Sequence, residues 1–525
     1  MNLLEVFARQ VQARPQALAI IQTRAGSDSC ITFAQLDVRA RKIAALLHQE
    51  GIRAGDPVLI FHPVSIDLYT VLLAVFRIGA VAMFLDPSTG REHVDRCCEL
   101  QPPRALIASP KAHLLRLVSN AVRRIRLKFV CGTWLPGATP VSRADALNPM
   151  RLCEPCAPET PALLTFTSGS TGLPKAAVRS HGFLLAQHRV LERHIQLVPD
   201  EVDLTTLPVF LLANLASGLT SVIPDADLRA PGLIDPGPVL GQIRRHRVTR
   251  AAASPAFFER LLMKKHGEPD ALRDLRKIYT GGAPVFPRLL EQLVNAAPNA
   301  QVEAVYGSTE AEPIAHLNMR DLQLEDRDAM GRGNGLLAGK VIPEINLRIL
   351  NDQWGKPLGT LAPSEFQALH LPAEKIGEIV VSGDHVLKGY LHGRGNEETK
   401  FSANGEVWHR TGDAGKLDGQ GRLWLMGRCS AKVQDARGQL YPFAVECVAS
   451  EHAYVHRAAF VSHDDRRLLA IELEEGAGTV SLEGLRKDVA WASVDQVLCF
   501  GRIPVDKRHN AKIDYPELRR LLAER

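Results

Sequence analysis

Leu3, Leu4, Phe7 and Val11 repeat at the spacing of one helix face, so the first predicted element is an amphipathic helix. Further on the pattern changes. Short apolar runs at 58–61, 105–108 and 127–131 have the length of strands buried on both faces, and helical or loop segments separate them. The longest apolar stretch runs from Leu68 to Leu85, but it contains Arg77 and Gly79 and ends at Asp86-Pro87. A guanidinium inside a membrane span is costly. The stretch therefore parses as a buried helix through Phe76, a turn at Gly79 and a buried strand over 80–85, with no transmembrane segment. Strands alternating with helices up to about residue 400 predict an α/β fold built on a helix-flanked, mostly parallel sheet.

Beyond that, 347–350 and 378–382 read as strands amid many turns, which predicts a β-rich subdomain before residue 430. The stretch from Asp418 to Arg422 reads as the turn of a hairpin between strands at 414–417 and 423–426. The final part carries a smaller α+β pattern, with helices at 445–451 and 481–489 and strands at 457–462 and 468–473. The basic run from Arg123 to Lys128 alternates with apolar residues, as a half-exposed strand with a solvated face would.

A length of 525 residues suggests roughly three or four domains or subdomains. With 46% hydrophobic and 23% charged residues, disorder, collagen and coiled coil are excluded as the dominant state. The net charge of +5, spread over the chain, gives no reason to expect a nucleic-acid or anionic-membrane partner. Nine scattered cysteines fit a reducing cytoplasm, and the Cys153/Cys156 pair lacks a second pair to complete a zinc site. The first residues lack the basic start and apolar run of a signal peptide, so a cytoplasmic location is expected.

The sharpest local signal follows the apolar run 162–166: Thr167, Ser168, Gly169, Ser170, Thr171, Gly172, Leu173, Pro174 and Lys175. Glycines let backbone approach a phosphate, N–H groups and hydroxyls donate to it, and the lysine supplies charge. Gly169 and Lys175 have Walker spacing. Position 174, however, is Pro where that loop needs Gly, and position 176 is Ala where a hydroxyl should hold Mg²⁺. A P-loop is thereby ruled out.

The segment instead resembles the phosphate loop of acyl-adenylate-forming (AMP-binding) enzymes, the superfamily of acyl-CoA synthetases, peptide-synthetase adenylation domains and luciferases. Further segments resemble that family in the right order. Thr280-Gly281-Gly282-Ala283-Pro284 resembles its adenine-side turn, and Tyr306-Gly307-Ser308-Thr309-Glu310 its aromatic–Gly–x–Thr–Glu motif. The segment from Trp408 to Asp413 resembles the ribose-binding strand, Gly427-Arg428 the domain boundary, and Ile503-Pro504 with Lys512 the C-terminal catalytic segment. The resemblance implies an N-terminal adenylation domain over 1–428 and a mobile α+β lid over 429–525. It implies ATP bound by residues 167–172, Lys175, residues 281–284, Tyr306, Gly307, Thr309, Asp413 and Arg428, with Mg²⁺ on Glu310. Lys512, Lys175, Glu310 and Thr309 would carry the chemistry, which joins a carboxylate to the α-phosphate and releases pyrophosphate. Ser180-His181 resembles a pair that positions the phosphate loop.

Departures from the family pattern bear on the second step. The usual Leu-Pro-x-Phe-His ends in Leu211, which makes the acyl entrance more apolar. Residues near 210–217, 254–258 and 281–283 are expected to line an acyl pocket suited to a fatty acid. In thioester-forming relatives a glycine lines the pantetheine tunnel; here Arg437 precedes Gly438, which comes one residue late. The segment before Lys512 is two residues longer than common, and Ala511 replaces a glycine. The segments 218–225, 421–424 and 508–513 resemble the β-lactone synthetases of bacterial olefin biosynthesis, and fatty-acyl-CoA ligases are similar over much of the same pattern. Two acceptors stay open, CoA giving a thioester or the substrate's own 3-hydroxyl giving a β-lactone. Loading of a carrier protein stands behind them, and an inactive scaffold is the remaining alternative.

Overall fold

The structure is a computed structural model that describes residues 2–24, 26–85, 90–168, 174–263, 272–478, 480–506 and 512–524. The chain forms two compact units, one comprising 1–225, 241–252 and 387–396, the other 226–240, 253–386 and 397–525.

The first unit holds a seven-stranded sheet in the order Thr139–Pro140, Leu127–Val130, Ala105–Ala108, Pro57–Phe61, Val81–Phe84, Pro161–Ser168, Pro174–Ser180. All neighbours are parallel except the last pair. The helix Ile66–Arg77 feeds Val81–Phe84 through Gly79, whose φ of +68° suits the turn, as the apolar pattern predicts. That helix is buried at every position except Asp67, so it is apolar on all sides, and its Arg77 donates to Asp37 Oδ1 at 3.0 Å. The pair gives this buried guanidinium a counter-charge within the core, while its Nε stays buried without a hydrogen-bond partner among the described residues. A second set of strands, Val202–Thr205, Thr220–Ile223 and Leu18–Arg24, is also parallel, with Ser27–Thr32 antiparallel at its end. Among the described residues, no helix is long and apolar enough to cross a membrane.

The basic run differs from its expected form. Asn120–Arg124 is a helix capped by Ser119, whose Oγ accepts from Val122 N at 3.0 Å, and only Leu127–Val130 is a strand. A helix N-cap decides the local geometry over the alternating pattern.

The second unit carries a mostly antiparallel sheet that runs Asn346–Leu350, Gly377–Ser382, Glu406–Leu417, Arg422–Arg428, Leu336–Val341, Ala311–Asn318, Gln301–Ser308, Lys277–Gly281. This is the predicted β-rich region, with the hairpin at 418–422 in place. Its C-terminal part has the hairpin Val433–Asp435/Gly438–Leu440, a three-stranded sheet of Val455–His463, Arg466–Leu473 and Gln496–Phe500, and the helices Pro442–Ser450 and Tyr515–Ala523. Two apolar clusters of its own hold that part together, one around Phe460 and Ile471, the other around Val461 and Leu518.

Candidate active site

In the second unit, Lys277–Gly281 pairs in parallel with Gln301–Ser308, which sets Gly281 opposite Val305. A Cβ at Gly281 would stand 2.4 Å from Val305 O, so only glycine allows this approach. Gly282 follows with φ +82°, and Ala283 and Pro284 lead into the helix Pro287–Ala296. One residue beyond Val305, the Tyr306 hydroxyl donates to Asp413 Oδ2 at 2.8 Å. Asp413 lies on the strand Glu406–Leu417, in register with Arg428, and Arg428 Nη1 donates to its other oxygen at 2.8 Å and to Thr411 O at 3.2 Å. Burial and the Asp413 charge together hold the Tyr306 phenol well above its usual range, so it remains a donor. Three sequence segments thus converge on one carboxylate with an aromatic face beside it.

The strand pair Gln301–Ser308/Ala311–Asn318 closes through a two-residue turn, Thr309-Glu310. Ser308 Oγ accepts from Glu310 N at 3.2 Å and Ala311 N at 3.3 Å, which fixes the turn. Gly307 is needed for close packing, since a Cβ would come within 3.0 Å of Ala311 O. The Glu310 carboxylate acts on His409, the imidazole four residues before Asp413. Burial first, and then the Lys400 charge, push the His409 pKa down to about 3, and Glu310 only partly offsets them. His409 is therefore neutral at ordinary pH.

In the first unit, Pro161–Ser168 and Pro174–Ser180 form an antiparallel pair with Thr167 opposite Lys175 and Ser168 opposite Pro174. The intervening Gly169, Ser170, Thr171 and Gly172 lie outside the described residues. Lys175 is buried, and its stem lies against the backbone of Gly395 (φ +91°), where a Cβ would be 2.5 Å from Lys175 Cδ. Ser180 caps the helix His181–His194 by accepting from Phe183 N at 3.1 Å. His181 is buried, accepts from Leu3 N on Nδ1 at 3.2 Å, and has its pKa pushed down to about 4 by burial. Its position ties the start of the chain to the end of the phosphate-loop hairpin. The expected acyl-pocket segments are the helix Pro208–Ser217 in this unit, and Ser254 with the helix Pro255–Leu262 and residues 281–283 in the other.

Lys512 is exposed in the second unit, at the base of a loop whose residues 507–511 lie outside the described ones. Its backbone N donates to Asp506 Oδ1 at 2.9 Å, and Asp506 N donates to Lys512 O at 2.8 Å. Arg437 forms a charge lattice. It donates to Asp435 Oδ2 at 2.9 Å and to both oxygens of Asp495 at 2.8 and 3.0 Å, while Arg467 donates to Asp435 from the other side. Hydrogen bonds from Arg467 hold the Asp435 carboxyl well below the usual range.

Two positioning features have only weak signatures in the sequence. Arg410 is buried and makes a two-pronged pair with Glu378 at 2.7 Å on each prong, with its guanidinium 5.3 Å from the Trp354 ring centroid. With Thr411 Oγ1 donating to Ile379 O at 2.9 Å, it fastens the Asp413 strand to Gly377–Ser382. Arg410 stands inside the ribose motif, where its charge amid apolar strand residues was the available signal. Gly395 has no local signal at all, because what it touches is 220 residues away in sequence.

The family model described as "AMP-binding enzyme" matches residues 7–391. An olefin beta-lactone synthetase of Stenotrophomonas maltophilia is 33% identical over 515 residues, covering 94% of this chain and 91% of the relative. Its counterpart in Xanthomonas campestris pv. campestris is 31% identical, covering 98% and 96%. The solved amide bond synthetase McbA of Marinactinospora thermotolerans superposes with a TM-score of 0.80 at 22% identity, covering 99% of this chain and all of that one, and so shares the fold. The chain belongs to the AMP-binding enzyme family and is an AMP-forming, acyl-adenylate-forming ligase.

Proposed function

We propose that the protein activates a 3-hydroxy fatty acid with ATP and then closes it to a β-lactone. The observation that carries the choice of product is the likeness, over nearly the whole chain, to two olefin beta-lactone synthetases. In the first step a carboxylate oxygen attacks the α-phosphorus and the bond to the β-phosphate breaks, releasing pyrophosphate. In the second, the 3-hydroxyl oxygen attacks the acyl carbon, its proton passes to solvent, and AMP leaves. Nucleophile and electrophile are then parts of one molecule, so a second substrate is unnecessary.

In this reading Tyr306 offers its ring to adenine, and Asp413, oriented by Tyr306 and Arg428, accepts from the ribose hydroxyls. Thr309 donates to the α-phosphate. The family resemblance assigns the other phosphates to Lys175 and the segment 167–172, and backbone near the nucleotide to Gly281, Gly282, Ala283, Pro284 and Gly307. Glu310, a half-buried carboxylate on a fixed hairpin turn, suits Mg²⁺, which takes one or two carboxylates and completes its shell with phosphate oxygens and water. Mg²⁺ would supply charge neutralisation there. Lys512, on a lid formed by 429–525, adds positive charge as the two anions meet. By the family resemblance Arg437 stands where thioester-forming relatives carry a tunnel glycine, and its guanidinium, held by two carboxylates, favours an acceptor other than CoA.

Purified protein with ATP, Mg²⁺ and a panel of fatty and 3-hydroxy fatty acids, with and without CoA, tests this by mass spectrometry. Loss of water from 3-hydroxy acids with AMP release, independent of CoA, is the expected outcome. CoA adducts of plain fatty acids would replace lactone closure by thioester formation. ATP binding with no pyrophosphate from any acid would point to a scaffold.

A further inference from the structure

Residues 101–142 contain seven Lys and Arg, from Arg104 to Lys128, and no Asp or Glu. Without those seven, the chain's 63 cations become 56 against 58 carboxylates, so this stretch supplies the whole positive balance. The charge is concentrated, contrary to the expectation of an even spread.

The same stretch is unusually apolar at its surface. Leu114 is 60% exposed, Leu117 71%, Val118 50% and Trp134 64%. Leu117 and Val118 stand on the short helix Leu115–Val118, and Trp134 stands on the loop that follows the strand Leu127–Val130. Arg116 Nη1 donates to Pro136 O at 3.0 Å, which fastens that loop to the helix, so the exposed apolar groups stand on two neighbouring segments. Arg123 donates to Arg116 O at 3.1 Å and Leu117 O at 2.9 Å, and Arg124 and Lys111 are exposed beside it. Asp95 is turned to the interior side of this region, accepting from the buried Ser119 hydroxyl and from Ala121 N. No carboxylate of the stretch itself dilutes the positive face.

We propose that this face docks on the surface of an anionic lipid bilayer. Trp134, Leu114, Leu117 and Val118 enter the headgroup boundary, and Lys111, Arg123 and Arg124 lie over lipid phosphates. Tryptophan prefers that boundary because its ring is apolar and its N–H stays hydrated. Apolar insertion and charge attraction act together in peripheral binding. A polyanion such as nucleic acid, or an acidic protein surface, would satisfy the cations but leave the exposed aliphatic groups without a matching partner.

Co-sedimentation of the full chain with vesicles tests this, comparing pure phosphatidylcholine with a mixture containing phosphatidylglycerol. Binding to the mixture, weakened by salt, is expected. Arg123→Gln with Arg124→Gln should lower partitioning about tenfold or more, and Trp134→Ala with Leu117→Ser should lower it comparably. Both pairs are surface changes, and an unaltered unfolding midpoint confirms that the fold is intact. Failure of the unsubstituted protein to bind the anionic vesicles overturns the proposal. Binding that falls with the arginine pair but is undiminished by the Trp134/Leu117 pair also overturns it, and marks a polyanion or acidic-protein face instead.

Discussion

The Tyr306 hydroxyl donates to Asp413 Oδ2 at 2.8 Å, across 107 residues of sequence. Arg428 occupies the other carboxylate oxygen, so the acid is held from both sides and its remaining lone pairs have a fixed direction. A hydrogen bond to a charged acceptor is worth about 1.5–3 kcal/mol. Tyr306→Phe should therefore lower kcat/KM for ATP about 10- to 100-fold in pyrophosphate exchange, with unfolding little changed. Unaltered exchange would remove the hydroxyl from the positioning role.

Lys512 is anchored through its backbone to Asp506, N to Oδ1 at 2.9 Å and O to Asp506 N at 2.8 Å. Lys512→Ala should abolish formation of acyl-adenylate while sparing the use of preformed acyl-adenylate. Full adenylation by that variant would take Lys512 out of the first step.

Arg410 and Glu378 are both buried, and each is the other's charge partner. Removing one partner strands a charge, at a cost of about 3–5 kcal/mol. Arg410→Met should show that loss in denaturant unfolding, and Glu378→Gln added to it should recover much of the stability. A purely additive double variant would contradict the pairing.

Glu446 is buried between Phe460 N and the Tyr515 hydroxyl, and burial pushes its pKa up to about 7 from 4.5. The folded state thus keeps a proton that the unfolded state has lost. Stability should be greatest below about pH 4.5 as far as this group is concerned, and should fall as pH rises to about 7, by about 3 kcal/mol in all. Glu446→Gln should flatten that part of the pH profile of unfolding, and an unchanged slope would assign the dependence elsewhere.

His181 and His409 act in the opposite direction. Both are held neutral by burial, with pKa values near 4 and 3, so they contribute stability that is lost as pH falls below about 6.5. The two effects occupy overlapping pH ranges, and the Glu446→Gln profile separates them.

The helix Ile66–Arg77, the Gly79 turn and the strand Val81–Phe84 were legible in the chain because burial on nearly every side leaves a long apolar run, which Arg77 and Gly79 divide at the turn. The motif segments were legible for a related reason. A nucleotide site needs glycines, hydroxyls and one acid at short spacing, and such requirements act within a few residues. The alternation over Arg123–Lys128 predicts a strand, but it spans the end of the helix Asn120–Arg124 and the start of the strand Leu127–Val130, and the Ser119 cap makes the first part helical. What only the tertiary structure decided is how distant segments meet: Tyr306 with Asp413, Lys175 with Gly395, Arg410 with Glu378, and Arg116 with Pro136. Periodicity records which face of an element is buried. Which partner buries it depends on strand order and register, and these come from the packing of the whole sheet.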